Sequence, residues 1–196
     1  MMLTKKFSAL SAGVVLAGSA LMMAAPAAHA QQAVVPAQSE IAFVSKQMGV
    51  PVEGKFKKFD AQVSFDPAKL ATSKVAFTID TGSATLGVKE TDAELPKAVW
   101  FNVPKFPQAT FQSSAIKSVG GGKYEVAGKL SIKGASQDVV VPVTLTQSGA
   151  TTTAVGSFPI KRLTFKIGEN EWADTSMVAD DVQVKFKLAL TGVPKI

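Results

Sequence analysis

The sequence predicts an all-β protein, a closed antiparallel barrel or a sandwich of about eight strands. Three observations carry that expectation. Side chains alternate through most of the chain, as where Tyr124, Val126, Gly128, Leu130 and Ile132 are interleaved with Lys123, Glu125, Lys129 and Lys133. A strand points successive side chains to opposite faces, so such a run has one apolar face and one wet, charged face. Short breaks containing Gly, Pro or Asp separate the runs, and antiparallel sheets tolerate water on one side.

The first thirty residues stand apart from this pattern. Lys5 and Lys6 precede the apolar run from Phe7 to Met23, and Ala28-His29-Ala30 follows it. A basic start, an apolar middle and a small-x-small ending predict a secretory signal peptide, residues 1–30, cut after Ala30. A membrane anchor is the competing reading, but serines and glycines interrupt the run. Such a signal predicts export, with the mature protein expected in the periplasm. His29 is the single histidine and there is no cysteine, so the mature chain has neither imidazole nor thiolate. That excludes Ser-His-Asp and Cys-His nucleophiles, His-ligated haem and the usual zinc sites. Such a chain is held together by its core, without disulfides. The net charge of +6 falls when Lys5 and Lys6 are removed, and the remaining excess is spread along the chain. It reads as solvated surface and not as a nucleic-acid footprint.

Residues 31–38 form a polar, Pro-containing lead-in, expected to be flexible. The domain expected over 39–193 begins with the strand Ser39–Lys46, where Ile41 and Phe43 share a face. Val52, Gly54 and Phe56 open the second strand. After Lys57-Lys58 the parity slips by one, and Phe59, Ala61, Val63 and Phe65 continue it. That slip predicts a β-bulge of the kind that bends barrels. Asp66-Pro67 makes a turn, and Val75, Phe77 and Ile79 a third strand.

The stretch from Gly82 to Pro107 breaks the rhythm. Val88–Val99 contains the one plausible helix, crossed by Pro96, and Trp100-Phe101 follows. A helix-bearing excursion in an all-β chain is expected to plug or cap one end of the sheet assembly. Thr110–Ser114 returns to strand. The run from Tyr124 to Ile132, a break at Gly134-Ala135-Ser136 and the run Val139, Val141, Val143, Leu145 predict a β-hairpin. Ala154, Gly156, Phe158 and Ile160 follow, with Pro159 suggesting an edge position or a bulge. Leu163, Phe165 and Ile167 predict a further strand, Gly168–Asp180 an acidic loop, and Val182 to Leu190 the last strand.

Five segments resemble the YceI-like family in order: Ser39-Glu40-Ile41-Ala42-Phe43, Val52-Glu53-Gly54-Lys55-Phe56-Lys57-Lys58-Phe59, Phe106-Pro107-Gln108-Ala109-Thr110-Phe111, Gly128-Lys129-Leu130-Ser131-Ile132-Lys133-Gly134 and Asp180-Asp181-Val182-Gln183-Val184. The resemblance implies an exported, lipocalin-like barrel holding a polyisoprenoid, an isoprenoid quinone or a prenyl-phosphate-like lipid, in an apolar tunnel. It supplies no catalytic residues and no cofactor beyond the lipid itself. A membrane quinone-using protein and a second copy of the chain are the protein partners considered.

The residues also offer room for a tunnel. Gly54, Gly128 and Gly156 each interrupt an apolar face, and a missing inward side chain leaves space for a neighbour or a ligand. The candidate tunnel-lining residues are Phe43, Gly54, Phe56, Phe77, Tyr124, Val126, Gly128, Leu130, Phe158 and Phe186. Aromatic residues on these faces serve equally as packed core. Burying one five-carbon isoprene unit contributes about 3–4 kcal/mol, at about 0.8 per carbon. A tail binder therefore needs no polar constellation.

Two other classes compete. An enzyme would rest on the carboxylates Glu90, Asp92 and Glu94, or on Glu169, Glu171, Asp174, Asp180 and Asp181 around Trp172. Neither group has EF-hand spacing, and charged loops are usually solvated; no enzymatic activity is expected. A non-catalytic envelope stress or interaction protein would have a side-chain-filled barrel, with the Trp100 and Trp172 loops as contact surfaces.

Overall fold

The computed structural model describes residues 32–196, so the segment expected as a signal peptide lies outside it. Among the described residues no helix is long and apolar enough to cross a membrane. The strands are β1 (Ala33–Val34), β2 (Glu40–Gln47), β3 (Val50–Phe56), β4 (Phe59–Ser64), β5 (Lys74–Asp80), β6 (Ala84–Thr85), β7 (Gln108–Gly120), β8 (Lys123–Ile132), β9 (Ala135–Ser148), β10 (Thr151–Lys161) and β11 (Asp181–Thr191). All pairings are antiparallel, in the order β4-β5-β7-β8-β9-β10-β11-β2-β3-β6, with β1 added beside β2 on β11.

The parity slip at Lys57-Lys58 explains how this sheet curls. β3 and β4 are the two halves of one bent strand: β3 pairs with β2, and β4 pairs with β5 on the far end of the order. The bend thus carries the chain from β3, next to one edge of the sheet, to β4 at the other edge. At the other rim, β1 packs on β4, and the Gln32 side chain clamps Phe65, accepting from its N–H (2.8 Å) and donating to its carbonyl (2.7 Å). The lead-in expected to be flexible is therefore built into the seam, as β1 followed by the 3-10 turn Pro36–Gln38.

Three local expectations are corrected. The helix spans only Lys89–Asp92; beyond it, before Pro96, the chain turns irregularly. The run Leu163–Ile167 is a 3-10 turn over Arg162–Phe165 and not a strand, because the Arg162 side chain gathers the carbonyls that follow it. The central hairpin turns on Lys133-Gly134, both at positive φ (49° and 76°), with Ile132 opposite Ala135. That is the handedness a two-residue hairpin loop requires. Lys133, expected on the wet face, is instead buried and donates to the Lys166 carbonyl (2.6 Å) and the Glu169 carboxylate (2.9 Å).

Pro159 sits where β10 no longer pairs with β9: that ladder ends at Gly156–Val143, while pairing to β11 continues through Pro159–Gln183. A residue without an N–H is tolerated at such an edge.

Both ends of the barrel are covered. At one end the excursion after β6 delivers Leu95, Phe101 and Val103 to the core, as expected of a cap. It meets the loop before β11 through Gly168 N–H to Val99 O (2.8 Å) and through Trp100 against Trp172 (5.4 Å between ring centres). At the other end, Gln147 holds the C-terminal tail, donating to the Val193 carbonyl (3.2 Å), and Val193 is buried.

Candidate functional site

The inward faces of the strands enclose an apolar cavity whose surface is entirely hydrocarbon. Its volume is about 150 Å³. Six of the residues expected to line a tunnel come together here: Phe77, Tyr124, Val126, Leu130, Phe158 and Phe186. They converge because the period-2 pattern of β5, β8, β10 and β11 turns the same face inward.

The other four lie elsewhere. Phe43 packs on Phe56 (5.4 Å) and Phe56 on Phe101 (5.9 Å), forming an aromatic cluster under the cap. Phe43 and Gly54 also border a solvent-facing groove of about 660 Å³ rimmed by Lys55, Lys57, Lys185 and Lys187. Gly54 and Gly128 are covered by rings. A Cβ at Gly54 would lie 2.3 Å from Phe43 Cζ, one at Gly128 2.5 Å from Phe111 Cζ, and one at Gly156 2.2 Å from Phe186 Cζ. Each inward glycine is thus a seat for a neighbouring phenylalanine, which is how edge and corner glycines are compensated in curved sheets.

Sequence reasoning missed Phe111, Ile116 and Phe65 as cavity walls, although all three lie on apolar faces. Phe65 stacks edge-on against Tyr124 (5.2 Å) at the tail-covered end. It also missed Arg162, 2% exposed, which no periodicity marks. Its five N–H groups donate to the carbonyls of Ala179 (3.0 Å), Ile167 (2.9 Å), Gly168 (3.0 Å), Trp172 (2.7 Å) and Val178 (2.6 Å). Burial pushes this guanidinium below its ordinary pKa, against the pull of the Asp180 carboxylate.

The carboxylates considered for catalysis stand in the loops. Asp92 accepts from the Thr85 hydroxyl and the Leu86 N–H, and these bonds hold its pKa below the usual carboxylate value. Asp174 is lowered likewise by Ser176. Both depressions mean the loop anchoring is complete at neutral pH and fades as the pH falls below the ordinary carboxylate range. Asp180 accepts from Leu163 N–H (2.9 Å), while Asp181, Glu94 and Glu169 pair with Lys161, Lys97 and Lys133. Among the described residues no three acidic or histidine side chains gather as a metal site.

Residues 33–190 match the YceI-like domain. This chain belongs to the YceI-like family. A UPF0312 protein of Azotobacter vinelandii is 35% identical over 144 residues, covering 71% of this chain and 72% of its own. The crystal structure of Burkholderia cenocepacia BcnA is 54% identical with a TM-score of 0.77, over 80% of this chain and 98% of that one. A polyisoprenoid binding domain from Saccharophagus degradans, implicated in plant cell wall breakdown, shares the fold at a TM-score of 0.66 and 15% identity, over 83% and 99% of the two chains. The antiparallel barrel that the resemblance implied is thus the fold of this family.

Proposed function

We propose that this protein is a periplasmic carrier or binding protein that holds a polyisoprenoid lipid, an isoprenoid quinone or a prenyl-phosphate-like chain, inside the barrel. The observation that carries this reading is the wholly hydrocarbon cavity within a wet-faced barrel. The polyisoprenoid-binding relative of the same fold supports it.

Magnitudes set a condition on the ligand. Association and ordering cost several kcal/mol, so at about 3–4 kcal/mol per buried isoprene unit a tail needs two or three units inside. A cavity of about 150 Å³ takes a ring the size of benzene, roughly one unit. A longer tail must displace side chains, and the phenylalanine rings resting on glycines are the ones with somewhere to go. Purification from cells that make isoprenoid quinones, organic extraction and mass analysis should recover near-stoichiometric prenyl lipid. Repeated recovery of stable protein that yields no lipid and takes up no added quinone would overturn the reading. It would favour a non-catalytic envelope stress or interaction protein, for which the rings seated on Gly54, Gly128 and Gly156 already argue a filled barrel.

Export is part of the same proposal, supported by the Ala28-His29-Ala30 ending. N-terminal sequencing of protein from a periplasmic fraction should begin at Gln31. An intact N-terminus in the membrane fraction would contradict it.

A further inference from the structure

Met48 and Val50 are the two most exposed large apolar side chains among the described residues, at 72% and 63%. Gln47 pairs with Val50, so Met48-Gly49 is the two-residue loop of the β2–β3 hairpin, with φ of 47° and 81°. Such a loop favours Asn-Gly, because few side chains accept positive φ. A methionine here is set against both water and its own backbone conformation. Met177, 45% exposed, stands beside it: Gln47 bridges to Val178, and the Met48 N–H donates to the Met177 carbonyl (2.9 Å). Val50 follows the inward parity of Val52, Gly54 and Phe56 yet stays in solvent, which places this apolar tip beyond the covered part of the barrel.

The outer face of the same hairpin is cationic. Across β11, β2 and β3 one outward row runs Lys185, Ala42, Lys55, and the next sets Lys187 beside Glu40. Strands about 4.8 Å apart put Lys185 and Lys55 roughly 10 Å from each other, with only a methyl group between them. With Lys57 these lysines rim the solvent-facing groove, four cations against the two carboxylates of Glu40 and Glu53. Lys55 lies 3.8 Å from Glu40, while Lys185 and Lys187 have no ion pair among the described residues. Nearer the tip, Lys46 is exposed on the same face, opposite Pro51.

We propose that the β2–β3 hairpin docks the protein on an anionic lipid bilayer. Met48, Val50 and Met177 enter the boundary between headgroups and acyl chains, and Lys46, Lys55, Lys185 and Lys187 meet lipid phosphates. Surface attachment of this kind draws on buried apolar area and on attraction between lysines and anionic lipid together. Charge selects the occupant: a two-fold contact between copies through this face would set lysine against lysine. The proposal goes beyond the lipid-binding reading, though a carrier of a membrane lipid needs such a contact to load.

The protein beginning at Gln31, which comprises the whole barrel, is sedimented with vesicles of phosphatidylcholine and of phosphatidylcholine mixed with phosphatidylglycerol. It should partition to the mixed vesicles and lose most of that binding at high salt, where exposed charges are screened. Met48→Asn suits the turn better, so its unfolding midpoint should hold or rise while vesicle partitioning falls about tenfold. Lys185→Gln combined with Lys187→Gln should weaken binding to the mixed vesicles by about tenfold or more. Should Met48→Asn not fold, Val50→Thr carries the same comparison. Quinone uptake from detergent solution should match wild type in every variant, because none of these residues lines the cavity. Partitioning equal to wild type in Met48→Asn or in the lysine variant overturns the proposal, and so does a wild type that ignores the mixed vesicles. A concentration-dependent dimer that Met48→Asn dissolves would also overturn it, making the tip an interface between copies. Vesicle binding without quinone uptake would uphold the docking and overturn the lipid-binding reading instead.

Discussion

Replacing Arg162 by alanine should cost about 3–5 kcal/mol of stability, the range for breaking a buried charged network. All five of its N–H groups end on main-chain carbonyls between Ile167 and Ala179, so one side chain organises the loop that leads into β11. Without it those carbonyls must find water or remain unpaired. The loop also carries Trp172 against Trp100, so the cap at that end should loosen with it. Arg162→Lys separates charge from geometry. Lysine keeps the cation near Asp180 but has three donors on one nitrogen, against five in a planar fork. It should recover less than half of the loss. At about 2–4 °C per kcal/mol for a chain of this size, the midpoint of Arg162→Ala should fall by roughly 6–20 °C. Hydrogen exchange should speed up first in residues 166–180. A lysine variant as stable as wild type would mean that the charge, and not the fork, holds the loop.

Much of the barrel was legible because its strands obey a strict period of two. That pattern marks the longer strands, the bend at Lys57-Lys58 and the excursion after the third strand, since each is a change in the same simple rhythm, but not the two-residue strands β1 and β6. It failed where a side chain overrides the backbone. Leu163, Phe165 and Ile167 alternate as a strand would, yet Phe165 and Ile167 are buried from a 3-10 turn wound around Arg162. Lys133 follows the wet-face pattern of β8 and is nevertheless buried, because the turn requires positive φ there and the side chain finds Glu169. A long-range partner leaves no trace in a local period. The order of the lead-in is hidden for the same reason: Gln32 looks like any polar terminus until Phe65 stands beside it. Of the cavity, the inward faces were readable but the depth along the barrel axis was not, so Phe43 and Phe56 were grouped with residues that sit below them.

Gly128→Val should destabilise the lipid-free protein by about 3 kcal/mol, the upper part of the range for overpacking. Absence of a side chain at this position offers the ligand no free space. A Cβ would come within 2.5 Å of both Phe111 Cζ and the Gln112 carbonyl oxygen. The ring can swing; the carbonyl belongs to β7 and cannot. Gly128 pairs with Ser113, and the register of β7 slips between Ser113 and Ala115. Glycine here permits the close approach of a bulged neighbour strand. Gly54 provides the control, because the three atoms nearest its Cβ position all belong to the side chains of Phe43 and Leu86. Trimming the ring should therefore rescue one site and not the other. Phe43→Leu should recover most of the loss in Gly54→Ala, whereas Phe111→Leu should recover little of the loss in Gly128→Ala, with coupling measured by double-mutant cycles. Unfolding midpoints and quinone uptake are to be read together on each variant. Unchanged stability with reduced quinone uptake in Gly128→Val would make the position ligand space after all. Lost stability with quinone uptake retained by the folded fraction would leave Gly128 to the bulge, and the tail to the walls around Phe77, Phe158 and Phe186.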